Sequence, residues 1–222
     1  MTDAGRRPAD YGRVAVLMGG WSAEREISLV SGRAVLAGLR RAGVDAHGVD
    51  VGRDILEVLA RERYDRAFVV LHGRGGEDGV VQGALEVLGL PYTGSGVLGS
   101  AIAMDKYRCK LLWQGAGVPT PAFRVLRGSG DLEGTTARVG LPLMVKPVHE
   151  GSSIGMTKVE QEGELAAAWE VARAFDDAVL AEHWVTGSEY TATILGGEAL
   201  PLIRLETPRS FYDYAAKYES GS

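Results

Sequence analysis

Cysteine is almost absent. Cys109 stands alone in 222 residues, which excludes an internal disulfide framework and a cysteine-rich zinc site and is compatible with a reducing compartment. Long apolar runs are missing too. The first, Val14 to Met18, is too short for a signal-peptide core or a membrane span, and Arg6 and Arg7 have no apolar stretch directly behind them. There is no basic excess: the formal net charge is −5, so neither nucleic acid nor an anionic membrane has an electrostatic reason to bind. Internal repeats and low-complexity tracts are lacking. The expectation left by these absences is a soluble, cytoplasmic protein of ordinary globular composition, 45% hydrophobic and 24% charged. A chain of this length can bury roughly 70% of its unfolded surface, enough for one large domain or two small ones.

Val14 to Met18 is an apolar run closed by Gly19-Gly20, which predicts a buried parallel strand and a tight turn. From Ser22 the period becomes helical, with Ile27, Val30, Ala34, Val35 and Leu39 on one face and Gly43 at the end. Val44 to Val51 reads as a second strand, Ile55 to Ala60 as a helix and Ala67 to Leu71 as a third strand ending at His72. Val80 to Leu88 is helical again. This alternation predicts a doubly wound α/β domain over about residues 13 to 100. Tyr92 to Gly99 is turn-rich and reads as a link. Asp105 caps a predicted helix from Lys106 to Gln114, and Ala122 to Leu126 begins a new strand. Leu165, Ala168, Trp169, Ala172 and Phe175 form an amphipathic helix face. Val179 to Glu182 is the next strand, and Tyr190 to Leu195 pairs with Leu200 to Leu205 around Gly196-Gly197.

Two glycine clusters, Gly19-Gly20 and His72 to Gly79, follow strands, where an open α/β sheet places its ligand crevice. Neither is a dinucleotide fingerprint, because bulky Trp21 occupies the position where backbone would approach a pyrophosphate. Glu24 complements a helix dipole or binds an ammonium group. His72 is a hydrogen-bonded loop histidine or a ligand contact. A third cluster lies deeper in the chain. Leu141 to Val145 reads as a buried strand, Lys146 sits at its end, and Glu150-Gly151-Ser152-Ser153-Ile154-Gly155 turns before an extended Met156 to Val159. Glycine lets successive N–H groups converge, serine adds donors and lysine adds charge, a set suited to a nucleotide triphosphate. An ordinary hairpin with an exposed lysine uses the same residues. Gly151 to Gly155 also fits G-x-S-x-G, but a hydrolase elbow needs strand, sharp turn and then helix, and the segment after Gly155 looks extended.

Taken together and in order, MGGWSAEREISLVSG, LHGRGGEDG, LPYTGSGVLGSAIAMDK, VKPVHEGSSIGM and FYDYAAKY resemble the D-alanine–D-alanine ligases of the ATP-grasp superfamily. The resemblance runs from residue 13 to the end of the chain. It implies a pre-ATP-grasp α/β domain over 13–100 after a flexible 1–12, a first ATP-grasp lobe over 101–186 and the start of a second over 187–222. The family joins two D-alanines for peptidoglycan through an acyl phosphate, using ATP and magnesium or manganese. The resemblance makes Glu24 the group on the first D-alanine's ammonium and puts His72 nearby. It sets Lys106, Lys146 and Lys217 on the nucleotide phosphates. One lysine about 4 Å from a phosphate is worth roughly 4 kcal/mol at an effective dielectric near 20, so a triphosphate calls for several cations. Glu150, Gly151, Ser152 and Ser153 become the loop over the phosphates, and Ser152 joins Glu24 and Tyr218 in a hydrogen-bonded catalytic set. Glu182, His183, Trp184 and Val185 fall at the adenine and Glu189 at the ribose. His183 stands where many members carry lysine. Phe211 to Tyr218 becomes a closing loop that excludes water. Tyr218 points to an amine nucleophile; D-lactate- and D-serine-using relatives are the alternative.

The family's metal ligands are not found before Ser222, so the resemblance implies a ligase that stops short of its metal-binding segment. A fragment without catalytic competence is the alternative reading. Few strands in the second lobe would leave apolar edges exposed. A homodimer is compatible with the reading; nucleic acid and membrane are not expected partners.

Overall fold

The computed structural model describes residues 7–207. Contacts divide the chain into two compact units, Gly5–Cys109 and a second from Lys110 onward.

The first unit is built on β1 (Arg13–Gly19), followed by α1 (Arg25–Arg41), β2 (Asp45–Val51), α2 (Ile55–Glu62), β3 (Arg66–Val69), α3 (Val80–Val87), α4 (Val97–Met104) and α5 (Lys106–Gly115), which leads out of it. The strands form a parallel sheet in the order β2-β1-β3, with Val14 paired to Ala46 on one side and Arg66 on the other. Successive strand residues point to opposite faces. Ala15 and Leu17 therefore join Ile55, Leu59, Val81 and Leu85 in one core, while Val16 and Met18 pack with Leu29, Leu36 and Leu39 in another. Both faces are covered, which is why β1 reads as an unbroken apolar run.

The face of α1 matches the expected one only in part: Val35 and Leu39 pack into the core, but other positions differ. Val30 is 60% exposed and Ala34 is exposed, while Ser28 and Gly32 are buried. The Ser28 hydroxyl donates to the Val70 carbonyl at 2.7 Å and accepts from the Gly19 N–H at 2.9 Å, and Gly32 lets the helix backbone approach Met18. A small polar residue and a glycine thus belong to the buried stripe, and apolarity alone recovers only part of it. The turn-rich stretch after Tyr92 also hides a helix, α4.

The second unit holds β4 (Phe123–Leu126), α6 (Thr135–Val139), β5 (Leu143–Pro147), β6 (Thr157–Val159), α7 (Leu165–Arg173) and β7 (Val179–His183). Helix α6 lies in polar residues before Gly140 where the sequence pattern gives no helix. The antiparallel sheet runs β4-β7-β5-β6, and Leu143, Val145, Val159, Val179 and Ala181 pack under Leu165, Ala168, Trp169 and Ala172 of α7. Phe175, expected on that helix face, lies past its end and is 46% exposed. Beyond β7, β8 (Glu189–Thr191) pairs with β11 (Ile203–Leu205), and β9 (Ile194–Leu195) pairs with β10 (Glu198–Ala199) through Gly196-Gly197 at φ 59° and 85°. Tyr190, Ile194, Leu195, Leu202 and Ile203 are each more than half exposed, as expected of apolar edges.

The contact at Gly32 separates packing from helix propensity. An added Cβ there would stand 2.4 Å from Met18 Cβ, whereas at Gly38 the nearest atom is 3.9 Å away. Gly38→Ala is expected to raise stability by about 1 kcal/mol. Gly32→Ala is expected to lower it by roughly 1–3 kcal/mol by overpacking. Thermal melts of the two variants give the signs, and a stabilised Gly32→Ala would contradict the packing described.

Candidate functional site

In the first unit the two glycine clusters meet at the carboxyl end of the sheet. The Ser22 hydroxyl donates to the His72 carbonyl at 2.8 Å and accepts from the Glu24 N–H at 3.1 Å. Glu24 precedes α1 and is 3% exposed, so its carboxylate is held inside the crevice rather than displayed as a solvated dipole partner. Gly73, at φ 65°, makes room for it: a Cβ on Gly73 would lie 2.5 Å from Glu24 Oε2. The loop is tied by carboxylates, with the Gly73 N–H donating to Glu77 at 2.6 Å and the Gly75 N–H to Asp78 at 2.7 Å. Trp21 lies over Gly75 and under the Arg53 guanidinium, 4.5 Å from its ring centroid. His72 is half-buried beside this carboxylate pocket. Lys106 opens α5 and is half-buried; the preceding Asp105 accepts from the Arg108 N–H at 2.8 Å, capping the helix as its spacing predicts.

The second unit holds a charged cluster. Glu182, on β7, places Oε1 on the Lys146 ammonium and Oε2 at 2.8 Å from that of Lys110. The register explains the first contact. Lys146 pairs with Leu180 across β5 and β7, so Glu182 is its diagonal neighbour on the same face. Burial pushes the Glu182 carboxyl upward, but the two ammonium groups outweigh it and hold the group below its ordinary range. Lys110 is not singled out by its sequence. Its one signal is a position one helical turn after Lys106.

After Lys146 the chain passes through the glycine–serine loop and returns as β6, antiparallel to β5. A strand–loop–strand hairpin, with no helix after the serines, removes the hydrolase elbow. Ser152 and Ser153 take φ 49° and 60° and Gly155 68°, so non-glycine residues occupy the left-handed region twice in succession. Gly155 is closed in by Phe175 and Pro147, which gives Phe175 its place outside the helix face. At the loop's root, Asp176 accepts from the His149 N–H at 2.7 Å and meets its Nδ1 at 2.8 Å, an anchor that sequence pattern does not disclose. Glu150 and Gly151 are half-buried.

Past Glu182, the His183 N–H donates to the Ala122 carbonyl at 2.8 Å, and its Nδ1 is buried with no hydrogen-bond partner among the described residues. The Trp184 N–H donates to Pro142, its ring lies under Lys158, and Val185 is 65% exposed. Glu189 begins β8 and is exposed. Lys217 and Tyr218, with the rest of the Phe211–Tyr218 segment, lie outside the described residues.

A parallel α/β unit with glycine loops at its strand ends, followed by an antiparallel sheet whose lysine-rooted hairpin carries glycines and serines, is the arrangement of an ATP-grasp ligase. Comparison with known proteins gives the family. The D-ala D-ala ligase C-terminus model matches residues 112–222, and the N-terminus model matches residues 53–95. The chain is 64% identical to a D-alanine–D-alanine ligase of Alkalilimnicola ehrlichii, over 96% of this chain and 68% of that one. A ligase of Ectopseudomonas mendocina is 61% identical over 95% of this chain and 67% of its own length. The fold matches the crystal structure of the Bacillus anthracis D-alanine–D-alanine ligase complexed with ATP at TM-score 0.79 and 33% identity, covering 90% of this chain and 68% of that one. The chain belongs to the D-alanine–D-alanine ligase family.

The Glu182 cluster makes stability depend on pH in a stated direction. A carboxyl held below its ordinary value stabilises the fold fully above that value and loses the contribution as pH falls through the lowered one. The melting-temperature gap between the parent and Glu182→Gln should begin to narrow as pH falls below the ordinary glutamate value and close only below the lowered one. A gap that closes within the usual range would contradict the two-lysine clamp.

Proposed function

We propose that this chain carries the nucleotide site and the first-substrate site of an ATP-dependent ligase that joins two D-alanines for peptidoglycan synthesis, in the cytoplasm where ATP is available. The observation that carries the reading is the hairpin rooted at Lys146, with its ammonium on Glu182 and two serines in left-handed backbone above it. Such a loop directs N–H groups and hydroxyls at an anion, and Lys146 adds a charge at its base.

The chemistry divides between the two units. A carboxylate oxygen of the first D-alanine attacks the γ-phosphorus of ATP, and the bond to the departing ADP oxygen breaks with its electron pair. The amine of the second D-alanine then attacks the acyl carbon, loses a proton, and phosphate leaves. Glu24 holds the first substrate's ammonium with a charge-assisted hydrogen bond, and His72 lies beside it. Lys106 and Lys146 bind phosphates, with Lys217 as a third cation. Glu150, Gly151, Ser152 and Ser153 cover them, and Glu24, Ser152 and Tyr218 are the catalytic residues. Glu182, His183, Trp184 and Val185 receive the adenine and Glu189 the ribose. Among the described residues no three His, Cys, Asp or Glu side chains converge as a metal site. No described helix is long and apolar enough to cross a membrane.

Purified protein should release phosphate from ATP when D-alanine is present and stay near background with L-alanine. Glu24→Gln should lower D-alanine-dependent release by about 30-fold or more while ATP affinity changes little, because only the ammonium's charged partner is lost. Release that ignores the stereochemistry of alanine, or a fully active Glu24→Gln, would count against the assignment.

A further inference from the structure

Lys110, which sequence pattern does not mark, has no evident duty toward a substrate. Its side chain is 4% exposed, against 16% for both Lys146 and Glu182. The Lys110 ammonium donates to Thr120 Oγ1 at 2.7 Å and to Glu182 Oε2 at 2.8 Å, and it lies 4.9 Å from the Phe123 ring centroid. Phe123 is the direct cross-strand partner of Glu182, so the ring and the carboxylate form two walls of one slot. A carboxylate, a hydroxyl and an aromatic face enclose the amine, leaving little of it open to a polyanion.

We infer that Lys110 is a positioning residue for the nucleotide site: it fixes Glu182 from the buried side, and Glu182 sets the Lys146 ammonium at the root of the glycine–serine hairpin. The inference rests on the functional reading above. The two carboxylate oxygens have separate duties, Oε2 to Lys110 and Oε1 to Lys146. Fixing one oxygen orients the other. Charge points the same way. Two ammonium groups and one carboxylate leave the cluster one positive charge in excess, available to an anion at its more open side. Without Lys110 the cluster is a neutral pair, with Lys146 neutralised by a carboxylate that is free to rotate.

The test is ATP affinity, measured by calorimetry on the parent, Lys110→Met, Glu182→Gln and the double variant. Methionine keeps most of the stem's volume and removes the charge. Lys110→Met should weaken ATP binding about tenfold, the scale of one hydrogen bond to a charged group. The KM for D-alanine should change less than twofold, a split that general loss of structure would not give. In the Glu182→Gln background, adding Lys110→Met should change ATP affinity by less than about twofold, because the carboxylate through which Lys110 acts is gone. Parent-like affinity in Lys110→Met, or an undiminished effect in the Glu182→Gln background, would overturn the inference. If melting shows that Lys110→Met does not fold, Thr120→Val is measured instead, since it keeps all three charges and removes one restraint on Lys110. About threefold weaker binding is then expected, and unchanged binding overturns the inference. A parent that does not bind ATP overturns the functional reading and this inference with it. A parent that binds, beside an equally avid Lys110→Met, overturns this inference alone.

Discussion

A carboxylate taken out of water must be satisfied where it stands, and the second unit is laid out around that constraint at Glu182. Antiparallel pairing of β4, β7 and β5 puts Phe123 opposite Glu182 and Lys146 on its diagonal. Thr120 holds the amine of Lys110. The result is a cation cluster with one closed side and one more open side. The hairpin loop springs from the open side, since Lys146 is nearly the last residue of β5 before the chain turns. Position and charge are thereby set by the sheet, while the loop supplies hydrogen-bond donors.

The first unit solves a different problem. Its central strand is apolar on both faces because helices cover both, and the parallel arrangement sends its loops to one edge. Glu24 is buried there, in space that Gly73 leaves open. Close approach of backbone to side chain recurs in this unit, at Gly32 against Met18 and at Gly75 against Trp21. In each case glycine is needed for what passes beside it.

Strands and helices with an unambiguous period are legible in the sequence: β1, β2, α3 and β7 lie where the pattern puts them, β5 begins two residues later than expected, and the chain turns at Gly196-Gly197 as expected although its strands split into two short pairs. The face of α1 is legible only in part: Val35 and Leu39 pack as the pattern predicts, but Ser28 and Gly32 line the buried stripe for reasons of hydrogen bonding and clearance that hydrophobicity does not register. Helices α4 and α6 are hidden by glycine, serine and threonine, which also signal turns. For the site, Glu24 is left between a helix-dipole partner and an ammonium ligand, while the loop after Lys146 and the glycine clusters at the strand ends can be read from residue types. The partnership of Glu182 cannot, since one of its lysines lies far away in the sequence. The His149–Asp176 anchor escapes for the same reason: cross-strand and loop-to-loop contacts leave no periodic trace.

At the centre of the proposed chemistry, the carboxylate of D-alanine attacks the terminal phosphate of ATP. That step is tested most directly with D-alanine carrying heavy oxygen in its carboxylate, followed by mass analysis of the phosphate released during dipeptide formation. An acyl phosphate requires one carboxylate oxygen to leave with the phosphorus, so the account predicts labelled phosphate. Unlabelled phosphate, formed alongside dipeptide or without it, would contradict the account.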